Sequence, residues 1–190
     1  MDPINIYIYA LASIIGMESM SIVSQKASIS INPVEQTFEI HQEDLFTIIR
    51  TAEDSLAVAD EFRGIADFRP NTENKTIDGL IVEKIELSKK DEQLHATVKG
   101  RYTDPKVLAE AGIHLDTTSV AEFSLINIPE WNIHSSDAVL RGNYWVWPAN
   151  KPVTILMEPF NDISEKYRKH RRSILPYWEL WQLGGNKQDH

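Results

Sequence analysis

Two stretches of the chain alternate between apolar and polar residues, one over residues 81–87 and one over residues 94–102. Alternation with a period of two is typical of a strand that buries one face and exposes the other. The charged residues 88–92 lie between the two stretches, so the pattern predicts an antiparallel hairpin with one solvated face.

Residues 42–63 change to the spacing of an amphipathic helix, because their apolar positions recur every three or four residues. The apolar stripe consists of Leu45, Ile49, Ala52, Leu56 and Ala59, widened by Phe46, Ile48 and Phe62. Glu43 and Asp44 would lie at the positive end of the helix dipole, and Gly64 would end the helix. The opposite, solvated face would carry Glu53, Asp54, Asp60 and Glu61.

The rest of the chain reads as shorter elements separated by turn residues. The predicted strands are 27–31, 35–40, 119–128, 138–147 and 152–158, and the predicted helices are 105–111, 161–173 and 176–183, before a frayed tail at 184–190. The strands at 138–147 and 152–158 are expected to pair with each other across the turn that joins them.

The order of these elements is not a regular alternation of strand and helix, which argues against a doubly wound parallel sheet. The sequence predicts an α+β fold with a mostly antiparallel sheet of five to seven strands. This sheet packs against the long helix at 42–63, and the chain ends in a C-terminal helix. The predicted divisions are an N-terminal arm at 1–25, an α+β domain at 26–160 and a C-terminal helical segment at 161–190.

The N-terminal arm contains the most apolar stretch of the chain, residues 4–17. It begins with alternating isoleucines, as a strand would, but Asp2 and the lack of an early basic residue make it a poor secretion signal. Extending it to Val23, to reach the roughly 20 residues that span a bilayer, brings Glu18 into the apolar segment. Three interpretations stay open: a core or partner-docking segment, a membrane anchor or atypical signal across residues 4–23, and a disordered leader. The cellular compartment of the protein is therefore left unassigned.

The composition is that of a globular protein, with 42% apolar and 25% charged residues in a chain of 190. It excludes disordered, collagen-like, multi-span membrane and disulfide-rich classes. The chain has no cysteine, which excludes thiol catalysis and cysteine-ligated zinc. A net charge of −9 argues against nucleic acid as the main partner.

This charge is unevenly distributed along the chain. The first 160 residues carry 13 basic and 24 acidic residues, a net charge of −11, whereas the last 30 carry 6 and 4, a net charge of +2. All five tryptophans lie within the last 60 residues. An acidic, aliphatic body is thus followed by an aromatic end with one basic cluster.

No motif in the sequence points to catalysis, a cofactor or a metal. His114 and Asp116 share one side of a predicted strand, and the run 134–137 contains His, Ser and Asp, but a serine triad is assembled from distant segments. The chain has no phosphate-binding glycine loop and no calcium loop. We therefore predict no catalytic residue, no metal ligand and no cofactor, and favour a protein that is not an enzyme.

Two regions offer surfaces for recognition instead. In the segment 142–148, a strand would place Trp145 and Trp147 on one face beside Asn143, with Tyr144 and Val146 opposite. The tryptophan pair could stack a sugar or small ligand, or could fill the core.

The second region is the C-terminal basic and aromatic segment. Its candidate partner-binding residues are Lys166, Arg168, Lys169, Arg171 and Arg172, followed by Trp178 and Trp181. Basic and aromatic residues together are typical of docking on an acidic protein surface or an anionic membrane. We expect a protein partner or a second copy of this chain, with a membrane surface as the alternative and nucleic acid not expected.

Three functions follow from these patterns. We favour a non-enzymatic assembly or adaptor subunit that engages partner proteins through its two terminal segments. The alternatives are a membrane-tethered or secreted module that binds a small ligand or glycan on the tryptophan-bearing strand, and an enzyme without a recognisable local motif.

Overall fold

A computed structural model describes residues 21–69 and 79–185. The strands in this part of the chain are β1 (Val23–Asn32), β2 (Thr37–Ile48), β3 (Leu80–Lys90), β4 (Gln93–Tyr102), β5 (Ile113–Asp116), β6 (Glu122–Ile126), β7 (Val139–Arg141), β8 (Tyr144–Pro148), β9 (Val153–Met157) and β10 (Arg171–Ser173). The α-helices are α1 (Ala52–Ala66), α2 (Glu165–Arg168) and α3 (Leu175–Gly185), and 3₁₀-helices span Pro105–Ala111 and Pro129–Trp131.

The strands form two sheets in which every pair is antiparallel. The larger sheet has the order β3-β4-β2-β1-β9, and β10 adds a sixth strand beside the C-terminal half of β2. The smaller sheet has the order β5-β6-β8-β7. The predicted α+β class and the antiparallel pairing are therefore confirmed, although the strands divide between two sheets.

The inner face of the larger sheet is covered in two different ways along its length. At one end the smaller sheet packs on it, around a sheet-covered core that includes Ile31, Phe38, Val98, Phe123 and Trp147. At the other end α1 and α3 pack on it, around a helix-covered core that includes Ile22, Leu45, Val58, Phe62 and Ile174.

The predicted hairpin at 81–102 is confirmed. Strands β3 and β4 pair along their length as far as Lys90 and Gln93. The turn between them is therefore shorter than predicted and consists of Asp91 and Glu92, which lie in the left-handed region with φ of 51° and 58°. Along β4 the buried residues alternate with solvated ones, as the sequence pattern requires. The predicted strands at 27–31 and 35–40 are also present, within β1 and β2, which pair with each other around a turn that begins at Asn32.

The predicted helix at 42–63 is wrong in its first half. Residues up to Ile48 continue β2, and α1 begins only at Ala52. The capping residue is Thr51, whose side chain accepts from the Asp54 backbone while the Asp54 carboxylate accepts from the Thr51 backbone. Leu56, assigned to the apolar stripe, is 69% exposed, and Glu61, assigned to the solvated face, is buried.

Two further predictions need correction. Residues 138–147 are not one strand, because Gly142, with φ of 59°, and Asn143 form a two-residue turn between β7 and β8. Strand β8 therefore pairs with β6 and β7, and β9 pairs with β1 in the other sheet. Residues 161–173 are also not one helix, since α2 has a single turn and β10 follows it.

The described residues cover the start and the end of the chain only in part. The predicted C-terminal helix is present as α3, and most of the predicted frayed tail at 184–190 lies outside the described residues. Residues 1–20 lie outside the described residues, and the described chain begins where the backbone N–H groups of Ser21 and Ile22 donate to the Glu61 carboxylate at 2.8 and 3.1 Å. Within residues 21–69 and 79–185, no helix is both long and apolar enough to cross a bilayer.

Candidate binding surfaces

The basic segment lies along the outer edge of β2 and is fixed there through its backbone. Strand β10 pairs antiparallel with residues 46–48. On either side of it, the backbone N–H of Ile49 donates to the His170 carbonyl at 3.0 Å, and the N–H of Ile174 donates to the Leu45 carbonyl at 3.1 Å. The basic residues are thus carried by a strand that belongs to the larger sheet.

Arg171 is used inside the fold. Its guanidinium lies 2.5 Å from the Asp44 carboxylate and 4.1 Å from the centre of the Phe46 ring, where it makes a cation–π contact. The side chains of Arg171 and Asp44 are only 31% and 14% exposed. Arg171 therefore anchors β10, and it is not a free cation for a partner.

The other four basic candidates are exposed. Arg168 contacts Glu165 at 3.3 Å, and Arg172 donates to the carbonyls of Lys169 and Arg171. In the described part of the chain, no carboxylate lies within ion-pairing distance of Lys166, Lys169 or Arg172. Their charges are therefore not neutralised by neighbours.

A fifth cation, which sequence reasoning missed, joins them from another part of the chain. The Arg50 guanidinium lies 4.9 Å from the centre of the Tyr167 ring, and Lys166 Nζ lies 5.5 Å from the same centre. We call Arg50, Lys166, Arg168, Lys169 and Arg172 the basic patch. Only the pairing of β10 with β2 brings Arg50 close, so no local sequence signal could have identified it.

The tryptophans of the C-terminal segment pack on α1. Trp178 and Trp181 are half-buried against the helix-covered core, and the Trp181 indole N–H donates to Asp67 Oδ1 at 3.0 Å. The Tyr177 hydroxyl lies 3.2 Å from Ser55 Oγ near the beginning of both helices. These contacts hold α3 beside α1, so the two tryptophans belong mainly to the interior.

The proposed platform of Trp145 and Trp147 is not open to a ligand. The two side chains share a face, as predicted, but that face is turned to the sheet-covered core, and Trp147 is 1% exposed. Trp145 is half-buried, and its indole N–H donates to Asn127 Oδ1 at 3.0 Å. Asn143 is exposed at the β7–β8 turn, and on the outer face Tyr144 is 46% exposed.

The clustered His, Ser and Asp letters at 134–137 form a structural turn. The Ser135 hydroxyl donates to the Thr154 carbonyl at 2.7 Å, and the Asp137 carboxylate accepts from the Thr154 backbone N–H at 3.0 Å. At the other sequence candidate, hydrogen bonds from the Thr118 backbone and hydroxyl lower the pKa of Asp116. Among the residues that the structure describes, no group of three or more His, Asp or Glu side chains is placed to hold a metal ion.

The outer face of the larger sheet is polar across all five strands of its main path. One row of cross-strand neighbours runs Thr154, Ser30, Glu39, Lys99 and Lys84. In this row Ser30 Oγ lies 3.0 Å from Thr154 Oγ1, and Lys99 Nζ lies 2.8 Å from Glu39 Oε1. An open groove of about 320 Å³ follows the row from Thr154 to Lys99, and we call it the outer groove.

Comparison with known proteins gives no relative for this chain. No family description, no curated protein and no solved structure matches it.

Proposed function

We propose that the protein is a non-enzymatic binding or assembly subunit that engages an acidic partner protein through the basic patch. The observation that carries this proposal is the exposure of unpaired cations on a chain whose net charge is −9. Elsewhere on the described surface most lysine and arginine side chains are paired with a carboxylate, for example Lys84 with Glu86 at 2.7 Å and Arg101 with Glu83 at 3.0 Å.

The way in which the patch is held also supports binding. The backbone pairing of β10 and the Arg171–Asp44 ion pair fix the position of the segment before any partner arrives. A preorganised surface loses less conformational entropy on association than a flexible basic tail does.

An acidic protein fits the patch better than an extended polyanion. Nucleic acid and anionic membranes present negative charge over a wide area, and most of this chain would meet that charge with its own acidic residues. An acidic loop or helix is small enough to touch the patch alone. The terminal segment at residues 4–23, predicted as a second docking element, stays a separate prediction.

The proposal is tested with a fluorescein-labelled peptide of alternating glutamate and serine, by fluorescence anisotropy at low and moderate salt. We expect binding to weaken as salt rises, because the contacts are between exposed charges. We expect Lys166→Glu with Lys169→Glu to weaken binding by about tenfold or more.

The matched control is Lys106→Glu with Lys151→Glu, which changes the net charge equally at two exposed lysines elsewhere. It should leave the affinity within about twofold, the size of a nonspecific charge effect. Equal losses in the two variants would overturn the proposed site. Tighter binding to duplex DNA or to anionic vesicles, with the same dependence on the patch, would show that the partner is not an acidic protein.

A further inference from the structure

The outer groove lies on the opposite face of the larger sheet from both cores. The residues that project into it from the outer face include Ser30, Thr37, Glu39, Lys99 and Thr154, and Glu83 contributes from the edge strand. Glu83 is the extra residue of an irregularity in the pairing of β3 with β4, between Val82 and Lys84. The volume of the outer groove, about 320 Å³, lies at the lower end of the range for small-molecule sites.

The hydrogen-bonding groups of the groove are only partly used by the protein. The nearest contacts of Lys99 and His41 with Glu39 both go to Oε1, at 2.8 and 3.2 Å, and a carboxylate can accept about four hydrogen bonds. Lys99 keeps further N–H donors beyond the one directed at Glu39. The Thr37 hydroxyl makes no hydrogen bond with another described residue.

The charges around the groove balance. Glu39 is paired with Lys99, and Glu83 is paired with Arg101 at 3.0 Å. With two acids offset by two bases, the groove has no net attraction for a small anion or a small cation. It instead presents carboxylate acceptors, ammonium donors and hydroxyl groups that can do both.

We propose that the outer groove binds a neutral, polyhydroxylated small ligand of about the size of one sugar ring. Each hydroxyl of such a ligand both donates and accepts, so it can satisfy the carboxylates of Glu39 and Glu83 and the ammonium of Lys99 together. This site is separate from the basic patch, and it does not depend on the proposed partner binding.

The test is a titration of the isotope-labelled protein with D-glucose, D-galactose, D-mannose and N-acetyl-D-glucosamine, followed by amide NMR spectra. At least one sugar should shift the amide signals of residues 30–32, 37–39, 99–100 and 153–154 in a saturable way. Glu39→Gln combined with Lys99→Gln keeps the net charge, and it should weaken that binding by about tenfold, the loss of charged hydrogen bonds.

The matched control is Lys26→Gln with Glu43→Gln, which removes a 3.8 Å ion pair from the same outer face at residues that do not line the groove. It should leave sugar binding unchanged, and dispersed spectra of both variants verify folding. The proposal is overturned if none of the four sugars shifts these amides, if the shifts map to another surface, or if the groove variant binds as well as wild type. Equally strong shifts with glycine or inorganic phosphate would overturn the class of ligand.

Discussion

The two cores beneath the larger sheet differ in how their covering layers are attached. In the sheet-covered core two large aromatic residues are completely enclosed: Phe123 and Trp147 are each 1% exposed, with ring centres 5.8 Å apart. In the helix-covered core the aromatic residues of α3 are only half-buried. The Tyr177 hydroxyl is hydrogen-bonded to Ser55 of α1, and the Trp181 indole N–H donates to Asp67, which directly follows α1.

At the helix-covered end, charged groups with little exposure also hold the covering segments in place. The Glu61 carboxylate binds the backbone of Ser21 and Ile22, the Arg171–Asp44 pair anchors β10, and Lys89 contacts Glu179 of α3 at 3.1 Å. Apolar packing changes little with pH or salt, whereas ion pairs and buried carboxylates respond to both. We therefore expect the buried Glu61 carboxylate to make the stability of the helix-covered end depend on pH, and the Arg171–Asp44 pair to make it depend on salt.

The largest expected effect is in the sheet-covered core. Trp147→Ala should lower the free energy of unfolding by about 4 kcal/mol, because it empties a fully enclosed aromatic site. Trp181→Ala, at a half-buried site, should cost about 1–2 kcal/mol. Urea unfolding of both variants measures the difference, and equal losses would remove the distinction between the two cores.

A smaller effect is expected at the anchor of β10. Asp44→Asn should lower the free energy of unfolding by about 2 kcal/mol. This loss is smaller than that expected from breaking a fully buried ion pair, because the Arg171 side chain is 31% exposed. Asparagine is suited to the position, where φ is 55°. Glu43→Gln, at the adjacent exposed pair with Lys26, should cost about 0.5 kcal/mol or less. A loss at Asp44 no larger than the loss at Glu43 would contradict the anchoring role.

The smallest expected effect depends on pH. Burial raises the pKa of Glu61 above its ordinary value of about 4.5, although the N–H groups of Ser21 and Ile22 oppose the shift. The folded state therefore holds the proton more tightly than the unfolded chain, and the stability from this group is present below about pH 4.5 and lost as pH rises through the raised pKa. Compared with Glu61→Gln, wild type should lose relative stability between about pH 4 and about pH 7 in urea unfolding. A constant difference across that range would contradict the assignment.

The part of the fold that the sequence predicted best is the part with one solvated face. In β4 each buried residue is followed by a solvated one, and the alternation can be read directly. The C-terminal half of β2 lacks this pattern because Leu45, Phe46 and Thr47 are all buried. Both faces are covered there, so the period of two disappears and the apolar spacing resembles that of a helix.

Two local signals would have corrected the prediction. The spacing of Thr51 and Asp54 resembles the capping box, with Asp54 in the place of the usual glutamate, and it marks the true beginning of α1. Gly142 and Asn143 form a two-residue turn of the kind that joins hairpin strands. The position of β10 had no such signal, because the pairing of three residues with a distant strand leaves no periodic pattern.

The candidate surfaces were predicted less well than the fold. Four of the five basic candidates are exposed as expected, but Arg171 is enclosed and Arg50 joins from a segment more than a hundred residues away. The outer groove combines residues of five strands, and none of them is conspicuous in its own segment. Surfaces assembled across a sheet depend on register, which the sequence does not show directly.

The late position of β10 in the chain has a consequence during synthesis. Residues 46–48 leave the ribosome long before Arg171–Ser173, which pair with them, and the Arg171–Asp44 contact joins residues 127 positions apart. Until then one edge of β2 stays open beside apolar side chains that α3 will later cover. A nascent chain that stalls before residue 171 is therefore exposed to aggregation, and the edge is closed only by the last strand within the described part of the chain.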